Sequence, residues 1–157
     1  MQECSIEIRV ADSSDSDLLL EWRNDPETRA HSISQGRVDS EVHERWFTSA
    51  LTDPNRLIVI GLCDGEPMGM CRFDVDSVGA TAEVSINVNP LFRGRGLAAP
   101  MLSVAIEEFH RVLPEVRQLT AQIQIANSAS TALFTRIGFR LVRVTDGLSN
   151  YSRDVAP

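Results

Sequence analysis

The residues best placed to do chemistry are Arg93-Gly94-Arg95-Gly96, a turn set between two periodic stretches. Before it, Val84-Ser85-Ile86-Asn87-Val88 alternates and is rich in β-branched residues, the pattern of a strand. Pro90 ends that ladder because it has no N–H to donate. After the turn, Leu97, Met101 and Ala105 form one stripe and Leu102, Ile106, Phe109 and Leu113 lie beside it, the pattern of a helix. A strand that feeds a glycine turn and then a helix start makes an anion site. The first N–H groups of a helix have no intrahelical acceptor, and the helix dipole favours negative charge there. Gly94 and Gly96 let the backbone approach a diphosphate without Cβ interference, and Arg93 and Arg95 can add charge-assisted contacts.

Three readings of this turn compete. Gly94-Arg95-Gly96-Leu97-Ala98-Ala99 matches the dinucleotide pattern G-x-G-x-x-A. In a dinucleotide fold, however, the first glycine sits at the strand end, and here Asn89 to Arg93 intervene. A helix-start turn that binds nothing is the second reading. The third rests on Val88, Pro90 and Arg93-x-x-Gly96-x-Ala98, which resemble the acyl-CoA signature Q/R-x-x-G-x-G/A of the GNAT N-acetyltransferases. Further along, Asn127-Ser128-Ala129-Ser130-Thr131-Ala132-Leu133-Phe134-Thr135-Arg136-Ile137-Gly138-Phe139 is similar to that family's N-x-x-(A/S)-x-x-L-(Y/F)-x-x-x-G-F element. The same residues also read as a capped helix that packs Leu133 and Phe134 into a core, and both readings hold together. The dinucleotide reading has no counterpart to this second motif.

Composition narrows the partners. A chain of 157 residues is most simply one domain, residues 1–157, able to bury a core without staples. Its net charge of −7 disfavours nucleic acid, whose binding is largely phosphate neutralisation. All 15 basic residues are arginine, which excludes a Schiff-base or P-loop lysine. No apolar run reaches membrane-span length and residues 1–10 lack the regions of a signal peptide, so the expectation is a cytoplasmic protein without membrane partners. Cys4, Cys63 and Cys71 are odd in number and lack metal-ligand spacing, and His31, His43 and His110 form no cluster, so no metal is expected.

The elements that must position the turn can be taken in chain order. Residues 6–11 alternate as a first strand. Ser14-Asp15-Ser16-Asp17 caps a helix carrying Leu18, Leu19 and Trp22 that stops near Asp25-Pro26. Residues 27–38 read as a polar stretch broken at Gly36. Asp39 or Ser40 caps a second helix through Val42, Trp46, Phe47 and Leu51, stopped by Asp53-Pro54. Residues 57–63 and 67–76 form a hairpin about Asp64-Gly65. Pairing Cys63 with Glu66 sets Cys71 opposite Ile58 and on the other sheet face, so a Cys63–Cys71 disulfide is not expected. After the long helix and Pro114 come a strand over 119–125, a short helix over 129–136, and strands over 139–144 and 151–155. The class is α/β (α+β). The order resembles that of the GNAT fold from end to end, which implies a mixed, mostly antiparallel central sheet of about seven strands with helices on both faces.

The resemblance implies acetyl transfer from acetyl-CoA to a primary amine by direct attack. It implies that the cofactor arm inserts where the strand before the turn splays from the strand after the long helix. On that footing Ile86, Asn87 and Val88 face the thioester, Arg93, Gly94, Arg95, Gly96, Leu97, Ala98 and Ala99 hold the pyrophosphate, and Asn127 contacts the arm. Phe134 stands where many relatives carry a tyrosine that protonates the leaving thiolate, and it cannot do so. A thiolate of pKa about 8.5 needs little help at neutral pH. Pro100 is tolerable only if the helix begins near Leu97. Relatives often use a carboxylate at the position of Glu83 as general base; a solvated strand-end charge is the alternative. His43 is the second candidate base, beside Trp46 and Phe47, where a packing role also fits.

For the acceptor, Trp22-Arg23-Asn24-Asp25-Pro26 and His43-x-x-Trp46-Phe47 resemble acetyltransferases that modify nucleotide-linked amino sugars in pseudaminic acid and related surface-glycan pathways. The implied substrate-binding residues are Trp22, Arg23, Asn24, Arg29 and Trp46: aromatic faces for a ring, arginines for a diphosphate. Two tryptophans clamping two helices together would give the same sequence. Two rival functions stay open, a protein N-terminal or ribosomal-protein acetyltransferase and a non-catalytic acyl-CoA-binding module. Some enzymes of the first kind carry Glu where this chain has Gln122, which counts against it. A homodimer is compatible with the sequence.

Overall fold

The computed structural model describes residues 4–155. In chain order the elements are β1 (Ile6–Val10), α1 (Ser16–Asn24), α2 (Pro26–His31), α3 (Ser40–Thr52), β2 (Arg56–Cys63), β3 (Glu66–Val75), β4 (Thr81–Val88), α4 (Ala98–Val112), β5 (Gln118–Gln124), α5 (Ser128–Arg136), β6 (Arg140–Thr145) and β7 (Leu148–Asp154). Short 3-10 turns at Ser13–Asp15 and Pro90–Phe92 precede α1 and α4. One helix was not expected: α2 lies inside the stretch read as a loop. Its start is nonetheless conventional, with Asp25 accepting from the Thr28 N–H and Pro26 at the first helical position. At six residues it is too short to show a periodicity.

The strands make one sheet in the order β1-β2-β3-β4-β5-β7-β6. Every neighbouring pair is antiparallel except β4 and β5, as the long α4 crossover between them requires. The expected architecture is therefore present. Two helices pack on each face. On one, α4 and α5 cover Cys71, Phe73, Val84, Leu119 and Ala121, with the Phe73 and Phe109 rings stacked at 4.3 Å. On the other, α1 and α3 bring Leu19, Trp22, Phe47 and Ala50 onto Ile58, Ile60 and Met70. That second core stops at β3. Beyond it the same sheet face carries polar side chains, because residues alternating with buried Val84, Leu119 and Ala121 must point the other way: Glu83, Ser85, Thr120 and Gln122.

Glycines in the hairpin set the seating of α4. A Cβ on Gly69 would lie 2.7 Å from the Asn87 carbonyl oxygen and 2.8 Å from the Met101 methyl, and one on Gly61 would also strike Met101. Bare backbone at both places lets α4 sit down on the sheet, which fixes its N-terminus beside the end of β4.

The cysteines differ from expectation in two ways. Cys63 does pair with Glu66, but a bulge between Gly61 and Leu62 shifts the register, so Cys71 faces Val59 and not Ile58. Cys63 is bonded to Cys4, with Cα atoms 5.4 Å apart, tying the segment before β1 to the end of β2. Cys71 stays a free, buried thiol whose pKa burial pushes up. No described helix is long and apolar enough to cross a membrane.

Candidate active site

β4 ends at Val88, and Asn89 then caps the 3-10 turn by accepting from the Leu91 N–H at 3.1 Å. The chain next passes through two left-handed glycines, Gly94 at φ 73° and Gly96 at φ 71°. Only glycine takes such angles without strain. A Cβ at either position would meet no atom within 4 Å, so the space over the turn is open. Leu97 is the N-cap of α4 and offers no side-chain cap, so the first N–H groups of the helix are left for an incoming acceptor. Pro100 falls in that first turn, where its missing N–H costs nothing. The turn thus fits a diphosphate. Arg95 lies over the Phe92 ring at 4.8 Å.

β4 and β5 pair only at Thr81↔Gln118, Ala82↔Leu119 and Glu83↔Thr120. From Val84 to Val88 the edge of β4 that faces β5 has no ladder, while β4 remains paired with β3 and β5 with β7. The two strands thus splay apart beside the glycine turn, leaving unpaired backbone along the cleft between them. Ile86, Asn87 and Val88 line it half-buried, beside the glycine turn. Asn127 stands at the mouth of α5, where its Oδ1 caps the helix by accepting from the Ser130 N–H at 3.1 Å. Phe134 is 3% exposed and meets Phe139 edge-on at 5.0 Å. Tyr151, the chain's one tyrosine, is likewise buried in the main core.

Phe134 therefore packs the core at the position where the resemblance implies a tyrosine in many relatives. Replacing it with Leu should cost about 1–3 kcal/mol of stability, read by denaturant unfolding, while turnover per folded molecule stays within a few fold. Phe134→Tyr should likewise leave the rate within a few fold, or raise it.

Two candidate bases are separated by the structure. Glu83 sits half-buried on the polar sheet face, directly opposite Asp74 of β3 and Thr120 of β5, at the point where the β4–β5 ladder stops. Burial pushes its pKa up, the charge of Asp74 adds to this, and Arg72 opposes it. His43 is 5% exposed, stacked on Phe47 at 5.7 Å, with Nε2 3.0 Å from the Ser16 carbonyl oxygen. A carbonyl can only accept, so Nε2 carries the proton and donates it to that bond. His43 is a core residue joining α3 to α1, and the expectation of it as a base is corrected.

The acceptor residues divide in the same way. Trp22 is 2% exposed in the second core and has no face open to a ring, which corrects its reading as a stacking platform. Trp46 is half-buried, with the Arg72 and Arg56 guanidinium carbons 5.3 and 6.0 Å from its ring centre. Asn24 holds the backbone of Val38 in both directions, at 2.9 and 2.7 Å, and so clamps the following loop. Arg29 donates from Nε to the Gln35 carbonyl oxygen at 3.2 Å. Arg23 donates from Nη2 to the Ser34 carbonyl oxygen, and its buried Nη1 has no partner among the described residues. Its pKa is pushed below the usual guanidinium value, first by burial and then by the positive charges of Arg29 and Arg72. Gln124 donates to the Ser32 carbonyl oxygen at 2.7 Å, so the loop closes over the polar sheet face.

Arg72 and Asp74 were missed from sequence. Both lie on β3 and point to the same face as Glu83, with the Arg72 Nε 2.9 Å from the Asp74 carboxylate and the Arg56 Nε 3.2 Å from it. The signal was available: charged residues in an otherwise apolar strand, Met70 to Val75, alternating with Cys71 and Phe73.

The acetyltransferase (GNAT) domain profile matches residues 5–140 of the chain. No curated protein matches it. Among solved structures it is similar to RimL, a ribosomal L7/L12 alpha-N-protein acetyltransferase in complex with coenzyme A, at 18% identity and TM-score 0.80, covering 96% of this chain and 94% of that one. It is also similar to yncA from Salmonella typhimurium with acetyl-CoA, at 23% identity, TM-score 0.75 and 95% and 93% coverage. A third is the spermidine N-acetyltransferase from Vibrio cholerae in complex with CoA and spermine, at 12% identity, TM-score 0.82 and 95% coverage of both chains.

Proposed function

The chain belongs to the GNAT acetyltransferase family, and from that premise we propose that it acetylates an amine carried by an anionic molecule, a nucleotide-linked amino sugar. The activity itself is acetyl-CoA-dependent N-acetyl transfer. One observation carries the choice of acceptor. Arg23 and Arg29, in a chain of net charge −7, make no ion pair and are held only by carbonyl oxygens, and Arg23 Nη1 has no partner, among the described residues. Cations left without carboxylates favour a phosphate and repel a polyamine or a protonated peptide terminus.

Acetyl-CoA, when bound, supplies the thioester that the amine attacks. Residues 94–99 would hold its diphosphate through free N–H groups, with Asn127 nearby on α5. The open edge of β4 offers the backbone N–H groups of Ile86 and Val88, either side of the β3-paired Asn87, to the carbonyl oxygen. Glu83 takes the proton from the amine, directly or through a water. Phe134 has no proton to give, so the leaving thiolate is protonated from solvent. Trp46, flanked by Arg72, and the clamp of Asn24 on Val38 shape the wall of the acceptor site.

The test compares kcat/KM for a UDP-linked amino sugar with that for the free sugar. The nucleotide form should be much the better substrate. Arg23→Ala should lose about 10- to 100-fold on it, the scale of a charge-assisted bond, and little on the free sugar. Equal rates on both sugars would remove the arginine argument. Turnover of peptide N-termini with none on amino sugars would assign the chain to the ribosomal-protein type instead.

A further inference from the structure

Arg93 is the leading residue of the acyl-CoA signature, yet its guanidinium turns away from the glycine turn. Nη2 donates to Asp25 Oδ2 at 2.6 Å and Thr28 Oγ1 at 2.7 Å, and Nη1 to Glu27 Oε2 at 2.9 Å. All three partners belong to the corner between α1 and α2, more than sixty residues away in sequence. The same Asp25 oxygen accepts from the Thr28 N–H at 3.1 Å and so caps α2. Arg93 holds the Asp25 carboxyl below the usual carboxylate range. Immediately before Asp25, Asn24 clamps Val38 and Arg23 holds Ser34. One side chain thus joins the turn to the corner from which the acceptor loop is hung.

We propose that Arg93 is a positioning residue that couples occupation of the cofactor turn to the order of α2 and the acceptor loop. This rests on the reading that residues 94–99 hold the CoA diphosphate. The cluster sets one guanidinium against two carboxylates, so it carries a net negative charge and its geometry responds to a further anion at the turn. Fixing the Arg93 backbone against a diphosphate fixes the far end of the same side chain. α2 is short, and among the described residues none of its own side chains is buried, so its order depends on such ties. The coupling makes cofactor binding improve the acceptor site, and by linkage the reverse holds too.

Hydrogen exchange with CoA as the only probe tests this without an identified acceptor. In the native chain CoA should slow exchange at residues 94–99 and also, by about fivefold or more, at 26–38. In Arg93→Gln, CoA should still protect 94–99, while the added protection at 26–38 disappears. Asp25→Asn should reduce that added protection from a residue outside the turn, because Asn still caps a helix but removes the carboxylate charge that holds the guanidinium. Protection at 26–38 that survives both variants, or that is absent from the native chain while 94–99 is protected, would overturn the coupling. No protection at 94–99 in the native chain would overturn the cofactor site beneath it.

Discussion

A Gly96→Val variant will be folded and will bind no acetyl-CoA. Position 96 has φ 71°, where a branched side chain is strained, yet a Cβ there meets no protein atom within 4 Å. The cost to the fold is therefore the local backbone term, about 1–2 kcal/mol, and not a clash. The cost to the site is total, because the space the side chain fills is the space over the turn that the diphosphate must enter. For the native chain, acetyl-CoA at a hundredfold excess over its Kd should add about 2.7 kcal/mol, or some 5–10 °C in melting temperature. That increment should vanish in Gly96→Val. Gly79, at φ 77° and also with nothing within 4 Å of its Cβ, provides the control: it bears the same strain in the loop before β4. Gly79→Val should melt lower by a similar amount and keep the full response to acetyl-CoA. An undiminished response in Gly96→Val would refute the site.

Glu83→Gln should lower kcat by about 10²- to 10⁴-fold, the range for loss of a general base, and at the same time raise thermal stability at neutral and higher pH. The two effects have one origin. Glu83 is half-buried opposite Asp74, so its folded pKa lies above the ordinary glutamate value. A raised pKa means that the folded state binds the proton more tightly than the unfolded chain does. The stability this brings is complete below the unfolded pKa and is lost as pH rises through the folded one. Above that point the buried carboxylate is a burden on folding that an amide of the same shape removes. In kcat/KM the native chain should show an acid limb, rising with pH, whose midpoint lies above the usual glutamate range. The limb should disappear in Glu83→Gln. In Asp74→Asn it should move to lower pH, since the neighbouring negative charge is gone while burial remains. A Glu83→Gln enzyme with native kcat would leave the residue as a strand-end charge and nothing more.

Much of this molecule was legible in one dimension because local patterns encode local structure. The alternation up to Val88, the Pro90 stop, the paired glycines and the stripe from Leu97 each report a backbone preference confined to a few residues. Together they placed the end of β4, the turn and α4 to within a residue of their observed bounds, while β4 itself begins at Thr81, three residues before the alternation. The capped element at Asn127 was readable for the same reason. What stayed hidden depends on residues distant in sequence. Trp22 and His43 looked like ligand-facing groups in their motifs, but which face of a helix is buried is decided by what packs on it, and α1 and α3 turn those faces into the second core. The Cys71 register turned on a bulge at Gly61/Leu62, which propensity does not announce. Arg93 looked like a phosphate ligand because its sequence neighbours are the turn. Only the fold reveals that its nearest anions are Asp25 and Glu27. The sequence by itself determined where the backbone could receive an anion. Tertiary structure alone decided which charges would face one another across the cleft, because Coulomb and packing terms act on separation in space, and separation along the chain does not predict it.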